Sequence, residues 1–254
     1  MELTVLGSGS TVPHPRRTSA AFWLETSGGN ILLDCAATAA ARMAACNVDW
    51  PDLDAIWISH FHMDHVGGLG PMLQGFKHSE RMKKREKPLR VFGAAGLRVL
   101  IDRLNDVNDY KLLKQKFPVE ILEIEPLERF EIVTDVEAVA MKTPHTAESH
   151  AIRIRDNDTT LVYTADTGFD ETVAAFINDA DLAILECTFL KNKPVGKHLE
   201  VAEAMYLIRK AHPKRAMLTH FYPEWDDVNF VEEVLKFSPP CEVIEAVDGL
   251  RVTI

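Results

Sequence analysis

The sequence predicts an α+β protein in which two β-sheets pack together and helices cover their outer faces. Strands and hairpins are interrupted by single helices, and this order occurs twice along the 254 residues. No repeat of fixed period is present, and no proline- or serine-rich linker divides the chain. Polar side chains of metal-binding types follow several apolar strands. We therefore expect residues 1–254 to form a single domain with a site at the ends of its strands.

In the first half of the chain, apolar runs of strand length alternate with helical segments. They predict strands at 3–6, 20–25, 30–33, 54–58 and 89–92, and helices at 36–46, 66–76 and 94–104. Residues 77–87 carry six basic and two acidic side chains, a local charge of +4. We interpret this stretch as a solvated loop or helix, with a patch that steers a phosphate-bearing substrate as the alternative.

The second half is predicted to begin with β-structure and to end with alternating helices and strands. Three short strands are expected between Val119 and Met141, and a hairpin joins 151–155 to 160–164. Helices are predicted at 170–178, 199–211 and 228–237, with strands at 182–185 and 215–218 and two further strands at the end.

The composition, charge and cysteine content of the chain limit the classes of protein to which it can belong. Hydrophobic residues make up 46% of the chain, enough for a sizeable core, and the net charge is −10. An acidic chain is a poor general binder of polyanions. The four cysteines form no C-x-x-C pair, which favours free thiols in a reducing compartment. We see neither a signal peptide nor an apolar run long enough for a membrane span, so we expect a cytoplasmic protein without membrane contact.

The segment Ser59-His60-Phe61-His62-Met63-Asp64-His65 contains the densest set of metal ligands in the chain. It follows the predicted strand at 54–58. If His60 and His62 continue in extended conformation, their side chains point to one face and can share a metal ion. Asp64 and His65 lie past the bend and can reach a second metal ion. The segment thus predicts ligands for two metal sites.

Four further polar residues follow apolar runs in the same way, namely His145, Asp166, Glu186 and His220. A carboxylate after a buried strand is costly unless it is paired or bound to a metal. Each residue alone is typical of an ordinary strand end. Together with the histidine segment they supply what a two-metal site requires, about three ligands for each ion and a bridge.

This pattern of histidines and aspartates resembles that of the metallo-β-lactamase fold superfamily over the whole chain. Within the superfamily, the chain is most similar to ribonuclease Z, the tRNA 3′-end endonuclease, and to related phosphodiesterases. The closer likeness is carried by five segments: Gly7-Ser8-Gly9 with Arg17, Leu33-Asp34-Cys35, His145-Thr146-Ala147-Glu148-Ser149 with Arg153, Glu186-Cys187-Thr188-Phe189 and Gly196-Lys197-His198. The resemblance implies a four-layer αββα sandwich and a possible homodimer.

The resemblance also implies roles for the ligands. It implies one metal ion bound by His60, His62 and His145, a second bound by Asp64, His65 and His220, and Asp166 as the bridge. Two Zn²⁺ per chain suit the histidine-rich set, although the carboxylates also admit Mn or Fe.

The same resemblance implies the remaining catalytic residues. Asp64, Glu186 and His198 are the predicted catalytic residues, with His198 as general acid and Glu186 orienting its ring. Asp34 is expected to accept a hydrogen bond from a ligand histidine. Ser149 and Arg153 are expected to contact phosphate.

We expect a phosphodiesterase that cleaves a small phosphodiester or another anionic small molecule. The segment from Val119 to Met141 contains no glycine- and lysine-rich insertion comparable to the tRNA-binding arm of ribonuclease Z. RNA is therefore the less favoured substrate, and true tRNA 3′ processing a weaker alternative. Another alternative is a metal-dependent hydrolase of a carboxylic ester, lactone or thioester. A non-catalytic binding protein is the third.

Overall fold

A computed structural model describes all of residues 1–254. The first half of the chain and its last strand together form a sheet of seven strands. The strands of this first sheet are β1 (Glu2–Gly7), β2 (Ala21–Thr26), β3 (Gly29–Leu33), β4 (Leu53–Ile58), β5 (Leu89–Gly93), β6 (Val119–Glu123) and β14 (Arg251–Thr253). They lie in the order β14-β1-β2-β3-β4-β5-β6. Strands β3 to β6 are mutually parallel, so their carboxyl ends share one edge of the sheet.

The second sheet also has seven strands. They are β7 (Arg129–Val133), β8 (Val136–Lys142), β9 (His150–Asp156), β10 (Thr159–Tyr163), β11 (Leu182–Glu186), β12 (Arg215–Thr219) and β13 (Glu242–Glu245). Their order is β13-β12-β11-β10-β9-β8-β7, and β10 to β13 are parallel. The last two strands of the chain therefore join different sheets, which ties the two halves together.

Eight α-helices cover the outer faces of the sheets. They are α1 (Ala39–Ala45), α2 (Met63–Val66), α3 (Leu69–Phe76), α4 (Glu80–Lys83), α5 (Leu97–Asp106), α6 (Glu171–Ile177), α7 (Val201–Ala211) and α8 (Phe230–Leu235). Short 3₁₀ turns occupy Trp50–Asp52 and Pro223–Asp227. No helix combines the length and the apolarity that are needed to cross a bilayer.

The fold has four layers, helices–sheet–sheet–helices, because successive side chains along each buried strand point to opposite faces of the sheet. On β2, Phe22 and Leu24 face the core between the sheets, whereas Trp23 faces the helices of the first half. The core that includes the space between the sheets contains 45 buried residues, and the second core, under α1, α3 and α5, contains 25. Both faces of the central strands are thus covered, and the predicted α+β sandwich is confirmed.

Several helix boundaries differ from the prediction. The helix expected at 66–76 is divided, and the break at Gly67 and Gly68 leaves Asp64 and His65 inside the short helix α2. A side chain at Gly68 would collide with the carbonyl oxygen of Ala36, so glycine permits this close approach. Helix α5 begins at Leu97 rather than at Ala94, because Gly96 has a left-handed φ of 100°.

Candidate metal centre

The residues predicted as ligands meet where the carboxyl ends of the parallel strands of both sheets come together. His60 follows β4, Asp166 follows β10 and His220 follows β12, while His145 lies between β8 and β9. Helix α2 presents Asp64 and His65 beside them. The parallel arrangement thus brings together side chains that are separated by up to 160 residues in the sequence.

The backbone turns sharply at three of these strand ends. Asp34, Ala165 and His220 have φ angles of 60°, 50° and 61°, in the left-handed region that residues other than glycine seldom adopt. At Gly168 a side chain would collide with the carbonyl oxygen of Gly196, so the chain after Asp166 packs closely on the loop that carries His198. These turns direct the polar side chains toward a common centre.

One group of donor atoms forms around His60, His62 and His145. The Nδ1 atom of His62 lies 3.1 Å from Nε2 of His145. The Oδ2 atom of Asp166 lies 3.7 Å from Nε2 of His60 and 3.7 Å from Nε2 of His145. These four side chains could hold one metal ion.

A second group forms around Asp64, His65 and His220, which could also hold a metal ion. The Oδ2 atom of Asp64 lies 3.5 Å from Nε2 of His220 and 3.8 Å from Nε2 of His65. The other oxygen of Asp166, Oδ1, lies 3.3 Å from Nε2 of His65 and 3.4 Å from Nε2 of His220. Asp166 therefore directs one carboxylate oxygen to each group.

Hydrogen bonds behind the centre set the ring orientation of His60 and His65. Nδ1 of His65 donates to Oδ2 of Asp34 at 2.7 Å, and Nδ1 of His60 lies 3.0 Å from Oγ of Ser59. Asp34 also accepts hydrogen bonds from the Ser59 hydroxyl and from the Tyr163 hydroxyl, each at 2.8 Å. With its own hydrogen directed to Asp34, the Ser59 oxygen accepts from His60. The His60 ring then presents an unprotonated Nε2 to the centre, and the His65 ring is oriented with its Nε2 toward the same centre.

The rings of His145 and His220, which also direct Nε2 toward the centre, are oriented in the same manner. Nδ1 of His145 donates to the carbonyl oxygen of Lys197 at 2.8 Å. Nδ1 of His220 donates to Oγ1 of Thr188 at 2.9 Å, and that hydroxyl donates to Oε2 of Glu186 at 2.6 Å. Sequence reasoning did not identify Thr188, Ser59 or Tyr163 as functional, although the first two lie within two residues of predicted site residues.

The donor set fits a divalent metal ion. The Nε2 atoms of His60, His65 and His220 and Oδ1 of Asp166 are buried without a hydrogen-bond partner. Burial and the charge of His65 lower the pKa of His60 to about 2, so this ring is neutral. Burial would raise the pKa of Asp166, but His220 and His65 hold it well below its usual range. Neutral imidazoles and an ionised carboxylate are the forms that bind divalent metals.

Beside the centre, His198 and Glu186 form a hydrogen-bonded pair. Nδ1 of His198 donates to Oε1 of Glu186 at 2.8 Å. Burial alone would lower the pKa of His198, but the hydrogen bond and the charge of Glu186 outweigh it, and the pKa is raised. Glu186 itself is buried, and three backbone N–H groups donate to it, those of Thr167, Thr188 and Leu199. His198 therefore has the environment of a proton donor.

An open cleft of about 310 Å³ leads to this arrangement. Its lining includes four of the predicted ligands together with His198, and its remaining walls are Thr11, Met63 and Tyr222. Met63 is 66% exposed and stands at the rim. The volume is at the lower end of the range for small-molecule sites.

The two predicted phosphate contacts, Arg153 and Ser149, are engaged by other parts of the chain, and so is Arg17. Arg153 does not reach the centre, because its guanidinium donates to the carbonyl oxygens of Phe176 and Asn178. These two residues lie at the end of α6 and shortly before β11, whereas Glu186 is the last residue of β11. Ser149 is fully buried and bonds Thr146. Arg17, which belongs to the first segment of the family likeness, is held by Glu245, by Asp226 and by a carbonyl oxygen.

Residues 77–87 form a mostly exposed segment that contains the short helix α4, in line with the interpretation as a solvated loop or helix, and their contacts do not support the alternative of a substrate-steering patch. Arg81 pairs with Asp49, and Lys87 pairs with Asp52 and Asp54. The buried guanidinium of Arg85 donates to carbonyl oxygens, including that of Pro51. These partners lie at the start of β4, whereas His60 follows its end, so the segment faces away from the metal centre.

Comparison with known proteins agrees with this geometry. The model of the family described as "Anti-Pycsar protein Apyc1" matches residues 1–240. The chain belongs to the Apyc1 family. Among curated proteins, the Apyc1-family chain is 25% identical over 222 residues to the probable metallo-hydrolase YhfI of Bacillus subtilis, covering 87% of this chain and 86% of that one. It is 25% identical over 280 aligned positions to ribonuclease Z of Clostridium beijerinckii, covering 87% and 88%.

Solved structures show the same fold. The metallo-β-lactamase fold protein YhfI of Bacillus subtilis superposes with a TM-score of 0.81 at 23% identity, covering 99% of each chain. The short form of human tRNase Z gives a TM-score of 0.78 at 20% identity, covering 100% of this chain and 99% of that one. The resemblance to the metallo-β-lactamase fold is confirmed, and this Apyc1-family chain is a metal-dependent hydrolase.

We expect Asp34 to support both the fold and the metal centre. In Asp34→Ala, four buried donors lose their acceptor: the backbone N–H and hydroxyl of Ser59, the hydroxyl of Tyr163 and Nδ1 of His65. The free energy of unfolding should fall by about 3–5 kcal/mol. Asp34→Asn retains one acceptor and tolerates the left-handed φ, so it should be destabilised less. Its metal affinity should still fall about 10- to 100-fold.

Urea unfolding and metal titration measure both effects. Asp158→Asn is the matched control, because Asp158 is exposed in the turn between β9 and β10. An Asp34→Ala protein with unchanged stability and metal affinity would contradict this role.

Proposed function

We propose that the chain is a dinuclear zinc phosphodiesterase that hydrolyses a small phosphodiester. In this proposal, one ion is bound by His60, His62 and His145, and the other by Asp64, His65 and His220. The observation that carries it is the position of Asp166, whose two oxygens each face one ligand group at 3.3–3.7 Å. A carboxylate shared in this way suits a bridge between two ions.

The bound ions would supply positive charge that stabilises the transition state of phosphoryl transfer and would lower the pKa of water. The histidine-rich donor set favours zinc, whereas the carboxylates also suit Mn or Fe. The chain's own residues orient these ligands. Asp34 and Thr188 do so by accepting the Nδ1 hydrogens of His65 and His220.

His198 is proposed to donate a proton to the departing alkoxide. Its Nδ1 is engaged by Glu186, so Nε2 is the nitrogen left to face a substrate in the cleft. The negative charge of Glu186 favours the protonated ring. Three backbone N–H groups hold Glu186, so the orientation of this pair is set by the folded chain. An alkoxide is a poor leaving group, so its departure requires such an acid.

Several observations favour a small substrate over tRNA. The alignment with Clostridium beijerinckii ribonuclease Z has 280 positions for 87% of this 254-residue chain, so tens of positions in that protein have no counterpart here. The segment from β6 to β8 consists of compact strands. The charge of −10 disfavours a polyanion. The ribonuclease Z relatives nevertheless support a phosphodiester as the substrate class, because RNA is itself a phosphodiester.

The proposal predicts that zinc-loaded protein hydrolyses bis(p-nitrophenyl) phosphate, and that chelation or His62→Ala abolishes this activity. Removal of His62 leaves one group with an incomplete ligand set, so hydrolysis should fall by at least about a hundredfold. Steady-state kinetics and metal analysis by mass spectrometry measure the two consequences. His78→Ala is the control, because His78 is exposed on the loop before α4.

The same protein should then be tested on cyclic nucleotides, precursor tRNA, lactones and thioesters. The proposal is contradicted if protein with two bound ions is inert to every phosphodiester. Faster hydrolysis of a lactone or thioester would assign the centre to carbonyl substrates instead.

A further inference from the structure

The residues that line the cleft at the metal centre include no lysine and no arginine. The two phosphate contacts expected from the sequence, Arg153 and Ser149, are engaged by other parts of the chain. Apart from the predicted ligands and the proposed acid, three side chains line the cleft, namely Thr11, Met63 and Tyr222. Only the two hydroxyls among them can donate a hydrogen bond to a phosphate oxygen.

The hydroxyl of Tyr222 is free to bind a ligand in the cleft. Tyr163 and Tyr206 donate their hydroxyl hydrogens to carboxylates, whereas the hydroxyl of Tyr222 has no hydrogen-bond partner in the protein. The side chain is half-buried. Burial, and then the charges of the nearby carboxylates Asp64 and Asp166, raise the pKa of Tyr222, so the hydroxyl remains a donor at neutral pH.

The backbone and the ring of Tyr222 are held in place by their neighbours. The N–H of Tyr222 donates to the carbonyl oxygen of Thr188 at 3.2 Å. Pro223 follows and restricts Tyr222 to an extended conformation, with φ −79° and ψ 160°. The ring packs against that of Phe189, with centroids 5.0 Å apart, and the Phe189 centroid lies 6.2 Å from that of His198. One buried ring therefore supports both the proposed acid and the phenol.

The turn after Tyr222, Pro223–Asp227, is fixed to two other segments. Oδ2 of Asp226 lies 2.7 Å from Nε2 of His14, on the loop between β1 and β2. Oε1 of Glu224 accepts a hydrogen bond from the N–H of Leu190 at 2.8 Å. The wall of the cleft that carries the phenol is thus ordered before a substrate binds, which lowers the entropic cost of the contact.

Thr11, the other hydroxyl in the lining, is less well suited to hold a substrate. It is exposed at a bend in the loop between β1 and β2. Ordering an exposed side chain on binding offsets part of the energy of the hydrogen bond. Tyr222 is therefore the better-ordered donor.

We propose that the hydroxyl of Tyr222 donates a hydrogen bond to a non-bridging oxygen of the substrate's phosphate group. This inference rests on the proposed phosphodiesterase function and adds to it a contact from the chain itself to the phosphate. The non-bridging oxygens stay on phosphorus throughout hydrolysis. The contact therefore serves every phosphodiester that enters the cleft, whatever its leaving group.

Tyr222→Phe tests the proposal, because it removes only the hydroxyl and keeps the ring against Phe189. In the zinc-loaded protein, kcat/KM for bis(p-nitrophenyl) phosphate should fall about 10- to 100-fold, since a hydrogen bond to a charged group is lost. The loss should agree within about threefold for a dinucleotide and for the p-nitrophenyl ester of thymidine 5′-monophosphate. In calorimetric titrations, inorganic phosphate should bind about tenfold more weakly to the variant.

The zinc content and the urea midpoint of Tyr222→Phe should equal those of the wild type, because the hydroxyl makes no hydrogen bond within the protein. Tyr110→Phe is the matched control. Tyr110 is 44% exposed and lies after α5, outside the lining of the cleft, so its hydroxyl should be dispensable in every assay.

An active wild type together with a Tyr222→Phe protein of equal kcat/KM and equal phosphate affinity would overturn this inference and leave the proposed function intact. A loss confined to the dinucleotide would also overturn it, because the hydroxyl would then act on the leaving group. A loss of zinc in the variant would assign Tyr222 to the structure of the centre instead. Wild-type protein that hydrolyses no phosphodiester would contradict the proposed function and this inference together, so the two failures are distinguishable.

Discussion

Replacing Asp166 by asparagine is expected to reduce hydrolysis by about a thousandfold or more and to remove at least one metal ion from each chain. The side chain is buried, and its two oxygens face imidazole nitrogens of both ligand groups. An amide keeps the size but removes the negative charge, and its NH₂ group cannot bind a metal. The substitution therefore acts on both groups at once.

The substitution should also change the protonation of the neighbouring histidines. Burial disfavours the charged form of His65, but Asp166 and Asp34 raise its pKa well above the usual range. Loss of the Asp166 charge removes part of that effect. Metal analysis and steady-state kinetics measure the result, and Asp158→Asn serves as the exposed control. An Asp166→Asn enzyme that retains two ions and full activity would exclude the bridging role.

For His198→Ala, the expected loss depends on the leaving group of the substrate. The leaving group of a dinucleotide is an alkoxide, which is a poor leaving group unless it is protonated. Hydrolysis of a dinucleotide should therefore fall about 10²- to 10⁴-fold without a general acid. The p-nitrophenyl ester of thymidine 5′-monophosphate releases a stable phenolate, which requires little proton transfer. Its hydrolysis should fall by less than about tenfold. Comparing kcat for the two substrates isolates the proton donation from binding.

His198 is a cleaner target than Glu186 for this test. Glu186 also accepts backbone hydrogen bonds from Thr167, Thr188 and Leu199, so its replacement would disturb the loops around the centre. His198 is partly exposed in the cleft, and His78→Ala again controls for removal of an imidazole. An equal loss for both leaving groups would mean that His198 positions the substrate and does not donate the proton.

Much of the candidate site could be predicted because its signals are local. His60, Asp166 and His220 each follow an apolar run, and a strand end can be recognised from the few residues around it. The bridging role of Asp166 and the acid role of His198 came from the family resemblance, and the structure brings both residues beside the histidines. The ligand assignment itself stays a prediction until metal is measured.

Other features could not be predicted, because they depend on partners far away in the sequence. Thr188 connects Glu186 to His220 across 34 residues, and Tyr163 reaches Asp34 across 129. A hydroxyl in a buried strand has no pattern that distinguishes a hydrogen-bond relay from core packing. Their roles become visible only when the strand ends are brought together.

The sequence by itself determined the layered α+β fold and the kinds of polar residue at its strand ends, because alternation and strand termini are properties of neighbouring residues. Only the tertiary structure decided what the charged residues do. Arg17 and Arg153 are held by distant carboxylates and carbonyl oxygens, and Lys87 pairs with Asp52 and Asp54. Lys114 and Lys116, which line a surface cleft with two other lysines, instead have no carboxylate partner. Electrostatic interactions act through space, so a charge run in the sequence does not reveal which charges are neutralised.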